Sequence, residues 1–310
     1  MKRQWDVNPV TFDPQTLWDG TGTFRLNAPR DLEVLRTLMD HNFLAPRHFV
    51  GLRLFPSAHR ASWRLADLWG VGLVARTRTA VWQRGRRTNW QYTYAITQQG
   101  AELVGDYFGA DVVPTGWNPP WENLGHRNNP VHDTAVADCV LSLMQYLGTK
   151  YTAAWQGPRE ATAVLGETGR VGGRTLVAPD ASVIIAGPAS QDVVFLEYEQ
   201  STRPEGVLRK LLGYQQLWLA RPWHKQHPNL TAPPIVLWSV MVRSDRQGYW
   251  SNPFAEVKKL AAAYPVLYDH VWLTQEEEWR RGVWQAHSVR PDGKDQPLHA
   301  LLTPMGKTHG

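Results

Sequence analysis

The sequence predicts an α+β protein built from two unlike parts, and three observations point there. Apolar residues recur at helical spacing up to Leu68, and two strand-like segments rich in Thr, Val, Trp and Tyr follow. A stretch dense in Pro and Gly comes next, and beyond it helical patterns alternate with apolar strands. At 310 residues the chain is long enough for two domains. We place the first at residues 1–108, a Pro/Gly linker at 109–125, and an α/β domain with a C-terminal extension at 126–310. A 43% hydrophobic and 20% charged composition excludes wholesale disorder. The lone Cys139 excludes an intramolecular disulfide and a multi-cysteine zinc site.

In the first domain Leu32, Leu35, Leu38 and Met39 form a helical stripe behind Pro29, a residue suited to a helix start. A short second helix is expected after Pro46, with Phe49, Leu52 and Leu54 turned inward. Ser57 reads as the N-cap of a third helix that buries Ala61, Leu65, Leu68 and Trp69. Its other face carries Arg60 and Arg64, with Trp63 at the flank, and Gly70-Val71-Gly72 ends it. Val74–Trp82 and Trp90–Ile96 read as strands joined by the loop Gln83–Asn89, which holds Arg84, Arg86 and Arg87. Three helices and a basic-tipped hairpin make a winged helix-turn-helix, whose third helix enters the major groove while the wing meets the backbone or minor groove.

Charge supports this reading. Residues 1–108 hold 14 Lys/Arg and 9 Asp/Glu, a surplus of +5, whereas residues 109–310 hold 19 of each. From Leu68 to Ala101 there is no carboxylate, yet Arg76, Arg78, Arg84, Arg86 and Arg87 lie there. Such a region attracts a polyanion, and double-stranded DNA is the expected partner. Arg60 and Arg64, one turn apart, suit base edges or phosphates, and the hairpin arginines suit a narrow minor groove.

In the second domain Val131, Ala135, Cys139, Leu143 and Leu147 mark a helix from about Pro130 to Leu147. An apolar strand interrupted by Pro179-Asp180 spans Arg174–Ile185, and after a turn a second runs over Val193–Glu199. A helix with Val207, Leu211, Tyr214 and Trp218 inward, a strand at Ile235–Val242, a helix at Pro253–Tyr264 and a short strand at Val266–Leu273 complete the expectation.

Pro179-Asp180 and Glu197-Tyr198-Glu199 form the candidate chemical site. Period two places Glu197 and Glu199 on one face, and a neighbouring strand carrying Asp180 would bring three carboxylates together. Clustered carboxylates repel unless a cation joins them, and Mg²⁺ suits oxygen ligands. A metal so held activates water against a phosphodiester. The pattern resembles the PD-(D/E)xK nuclease fold, with Asp180 and Glu197 in the acidic, metal-binding positions. Glu199 stands where that pattern has its lysine; Lys210 is the displaced substitute and Glu160 the upstream acid. That departure points to a nuclease-like platform that no longer cuts. Mg²⁺ is the expected cofactor only if the site is active.

The order of pieces resembles the replication-relaxation family of plasmids, phages and integrative elements. The matching pieces are Trp69-Gly70-Val71-Gly72-Leu73-Val74, the hairpin, Ala95-Ile96-Thr97-Gln98-Gln99-Gly100, His132, Pro179-Asp180-Ala181, Phe195-Leu196-Glu197-Tyr198-Glu199, and Lys210-Leu211 with Tyr214. The resemblance implies a winged-helix half that binds DNA, a nuclease-like half, and a role in replication or maintenance of a mobile element, with protein partners in the same complex. It covers about residues 30–220.

Other signals carry less. The Gly-rich Gly166–Thr175 lacks the lysine of a phosphate loop. His224 and His227 have no third ligand nearby, and most of the 16 tryptophans fall on apolar faces, Trp63, Trp82 and Trp90 excepted. No apolar run follows Lys2-Arg3 and no segment is long enough to span a membrane, so a cytoplasmic protein is expected. Two alternatives stand beside the DNA-binding reading: a Mg²⁺-dependent endonuclease targeted by the winged helix, and a winged-helix adaptor docking on protein.

Overall fold

The computed structural model describes residues 26–83, 86–113, 117–123, 129–148, 151–158, 161, 170–171, 174–175, 177–186, 191–199, 204–220, 233–240 and 253–302. The chain divides into two compact units, Met1–Ala137 and Asp138–Gly310. The division falls inside the helix Pro130–Leu147, downstream of the Pro/Gly stretch.

The first unit begins with helices α1 (Ala28–His41), α2 (Pro46–Gly51) and α3 (Ala58–Gly70). Pro29 lies in the first turn of α1, and Leu32, Leu35, Leu38 and Met39 are buried, as their spacing requires. The Ser57 hydroxyl accepts the Arg60 N–H at 3.3 Å and caps α3, while Ala61, Leu65 and Leu68 have no exposed surface. Beyond α3, Gly72 takes φ +79°, a left-handed conformation that favours glycine.

Strands β1 (Val74–Gln83) and β2 (Arg86–Ile96) then pair antiparallel from Val74↔Ile96 to Gln83↔Arg86, with a bulge at Val81/Trp82. The ladder runs further than the sequence predicts. Arg86 and Arg87 belong to β2 rather than to a seven-residue loop, because pairing with Gln83 and Trp82 satisfies their backbone groups within the ladder. Arg84 lies outside the described residues. A fourth helix, α4 (Gln98–Phe108), follows. Thr97 caps it by accepting the Gly100 N–H and ties it to the turn that follows α3 by donating to Gly72 O at 2.7 Å.

Among the described residues the second unit is built around a seven-stranded sheet ordered Gln296–Pro297, Gln285–Ser288, Val271–Gln275, Ile235–Val240, Gln191–Glu199, Ala181–Ala186 and Thr152–Gln156. Helix α5 (Pro130–Leu147) leads to β3 (Thr152–Gln156), and a small ribbon, β4 (Arg170–Val171) with β5 (Arg174–Thr175), precedes β6 (Ala181–Ala186) and β7 (Gln191–Glu199). The strand expected over Arg174–Ile185 is thus two pieces. Proline has no N–H for a ladder, and β6 starts only after Pro179-Asp180. β3, β6 and β7 form an antiparallel meander; α6 (Pro204–Ala220) then leads to β8 (Ile235–Val240), parallel to β7.

Helix α7 (Pro253–Ala262) precedes β9 (Val271–Gln275), parallel to β8, and α8 (Glu276–Trp279) leads to β10 (Gln285–Ser288) and β11 (Gln296–Pro297). The strand predicted at Val266–Leu273 starts later. Pro265–Leu267 turns as 3₁₀ helix, and the apolar residues resume only at Val271. Period two along β7 sorts the layers. Phe195 joins Val207, Leu211, Tyr214, Trp218, Trp238 and Val257 in the core beneath α6 and α7, whereas Tyr198 points to the other face.

Candidate functional site

Two groups of side chains are candidates, one in each unit. In the first, α3 exposes His59, Arg60 and Trp63, the last 62% accessible and tilted at 52° against His59 with ring centroids 4.5 Å apart. Arg64 does not join them. Its guanidinium turns inward, donating from Nε at 3.1 Å and from a terminal nitrogen to the carboxylate of Asp31, which is fully buried in the first turn of α1. Burial opposes the Arg64 charge, and Asp31 and Asp67 outweigh it, raising the guanidinium above its ordinary value. The expected Arg60/Arg64 pair on an outer face is therefore corrected to Arg60 alone. The spacing of four sets the face of α3 but says nothing of the acid that α1 presents to it.

Along the hairpin the arginines are interleaved with aromatic rings. Arg76 and Arg78 alternate with buried Thr77 and Thr79, which fixes one face as the outer one. The Arg76 guanidinium lies 3.4 Å from the centroid of Trp69 and 4.6 Å from that of Tyr92. Arg78 sits 5.2 Å from the same Tyr92 ring and donates to its hydroxyl at 3.0 Å. Two steps towards the tip, Trp90 is 56% exposed. Arg47 of α2 donates to Gln91 Oε1, joining helix and hairpin. Tyr92 was not evident from the sequence because charge points to the arginines and not to their aromatic partners, and Arg47 was not because its contact with Gln91 joins residues 44 apart.

In the second unit the structure brings Asp180, Glu197 and Lys210 together. Asp180 lies just before β6, beside Glu197 on β7; its N–H donates to Leu196 O, and its Oδ2 accepts the Tyr198 N–H at 2.8 Å. Lys210, on α6 above that face, donates to Glu197 Oε2 and has its Nζ 3.5 Å from Asp180 Oδ2. Tyr214, one helical turn further on, donates to Glu197 Oε1 at 2.6 Å. Burial pushes the Glu197 carboxyl up to about 8 in spite of Lys210. Burial works against the Lys210 charge as well, but Asp180 and Glu197 outweigh it and raise its pKa. Glu199 is half-buried and adds to the negative field on Lys210. Glu160, His224 and His227 lie outside the described residues.

These groups do not suit Mg²⁺ as they stand. Both Glu197 oxygens already accept hydrogen bonds, and burial disfavours the charged form of the carboxyl that a hard cation needs. The Lys210 ammonium occupies the position between the carboxylates that a cation would take. Among the described residues no group of three or more His, Cys, Asp or Glu could hold a metal ion. On the opposite face of β7, Tyr198 donates to the buried Glu276 at 2.9 Å, and Arg280 joins Glu276 to Asp138. This second buried network was invisible in the sequence because its members come from α5, β7 and α8.

The fold and these sites define a mixed α+β protein of two units, one carrying an arginine–aromatic surface and the other a lysine-centred pair of carboxyls. The chain belongs to the replication-relaxation family, whose model matches residues 35–232, from α1 to beyond α6. Membership ties it to functions in replication or in mobile elements. No curated protein and no solved structure matches the chain. Among the described residues no helix is long and apolar enough to cross a membrane.

Proposed function

We propose that the chain is a DNA-binding protein that acts in the replication or maintenance of a mobile element. Its first unit reads duplex DNA as a winged helix-turn-helix, and its second is a nuclease-like platform that does not cut. The observation that carries the reading is the segregation of charge: 14 Lys/Arg against 9 Asp/Glu in residues 1–108, and none of the acids between Leu68 and Ala101. Three helices followed by an antiparallel hairpin support the winged-helix assignment, with Arg60 and Trp63 exposed on α3. The helix, antiparallel meander, helix and parallel strand of α5, β3-β6-β7, α6 and β8 support the nuclease-like one.

A second reading, a metal-dependent endonuclease, draws on one observation. Lys210 reaches both acids from a displaced position, where an ammonium steadies charge developing on a phosphate. The commitment of both Glu197 oxygens favours the inert platform. The test is supercoiled plasmid incubated with the full chain, with and without Mg²⁺ or Mn²⁺. Retarded but uncut DNA supports the platform; nicking that Asp180→Ala abolishes establishes the nuclease. A chain that leaves DNA unshifted at low salt has another partner, as the protein-docking alternative requires.

A further inference from the structure

The outer face of the hairpin has more aromatic surface than a contact with phosphates needs. Trp69, Arg76, Tyr92 and Arg78 form a continuous series of stacked rings and guanidinium groups, closed by the hydrogen bond from Arg78 to the Tyr92 hydroxyl. Trp90 lies on the same face of β2 as Tyr92, two residues nearer the tip, and keeps 56% of its surface exposed. An exposed indole offers a π-face on which a flat partner can stack. A DNA duplex offers no such partner on its outside, because its base faces are already stacked on one another. An unpaired base has two free π-faces, and its backbone phosphates match the arginines that flank the rings. The absence of any carboxylate from Leu68 to Ala101 removes the charge that would repel that backbone.

We propose that this face, with Trp90 as its platform and Arg78 as its phosphate partner, binds unpaired nucleotides of single-stranded DNA. It would then hold the open strand where a duplex bound by the same unit is unwound. The inference rests on the DNA-binding reading above and adds the form of DNA that the hairpin takes.

The test compares the full chain on a mixed-sequence single strand, on the blunt duplex containing it and on a fork with one unpaired arm, by fluorescence anisotropy at one salt concentration. Trp90→Leu keeps an apolar side chain but removes the ring, and at an exposed position it leaves the fold intact. It should weaken single-strand and fork binding by roughly tenfold, the typical effect of one lost stack, and duplex binding by less than about twofold. Trp90→Phe, which retains a π-face, should recover most of the loss. Equal weakening on all three DNAs, no weakening on any, or no rescue by Phe would overturn the stacking role. A parent chain that binds duplex but no single strand overturns this inference alone, whereas one that binds neither removes the DNA-binding reading with it.

Discussion

Replacing Arg64 separates a structural arginine from a reading one. Asp31 has no exposed surface, and its carboxylate is held by the Asn27 N–H at 2.6 Å, by Arg30 at 3.3 Å and by the Arg64 fork. Arg64→Ala leaves that buried charge with only the first two. Breaking a buried pair from one side costs about 3–5 kcal/mol, and the surviving donors place this case near 3. The exposed Arg60→Ala should change stability by less than about 0.5 kcal/mol. Guanidinium denaturation, read at the transition of the first unit, checks both values. Asp31→Asn in the Arg64→Ala background removes the stranded charge and should recover at least about 1 kcal/mol, so the two losses will not add. If Arg64→Ala is as stable as the parent yet loses sequence preference on DNA, Arg64 reads bases and the strut assignment fails.

Three further outcomes follow from the geometry. Burial raises Glu197 from 4.5 to about 8, so the folded chain keeps a proton that the unfolded chain releases between those values. That contribution is full below pH 4.5 and is lost as pH rises through about 8; Glu197→Gln should flatten the fall in melting temperature across the window. Lys210→Met strands Asp180 and Glu197 together and should cost about 2–3 kcal/mol, while Lys210→Met with Glu197→Gln should cost less than the sum, measured by denaturation. Gly100→Ala would put its Cβ 2.3 Å from Leu73 O and 2.8 Å from an Ile96 side-chain carbon, so calorimetry should show a loss of about 2 kcal/mol or more from the first unit.

The helices were legible wherever a stripe of apolar residues met a start signal. Pro29, Ser57 and the spacing of Ala61, Leu65 and Leu68 all did what local chemistry dictates. β7 was legible for its unbroken apolar run, and Asp180 and Glu197 for the Pro-Asp break and the carboxylates at the strand's end. Pairings across long sequence separations were not. Nothing local to Arg64 announces Asp31, and Tyr214 reads as an ordinary core residue until its hydroxyl is seen on Glu197. Short strands such as β3, β10 and β11 escape because their extended backbone is set by the neighbour they pair with rather than by their own residues. Arg86 and Arg87 read as loop because turn-forming Gly85 lies beside them, yet they are paired within the ladder.

The most direct test of DNA binding by the first unit is the salt dependence of duplex affinity for the full chain and for Arg84→Ala/Arg86→Ala/Arg87→Ala. Each phosphate neutralised contributes about −0.9 to the slope of log Kobs against log salt concentration. If the hairpin arginines meet the backbone, the variant should bind every duplex more weakly and its slope should shallow by about 2 to 3. A parent with no salt-dependent duplex binding, or a variant with the parent's slope and affinity, would contradict the assignment.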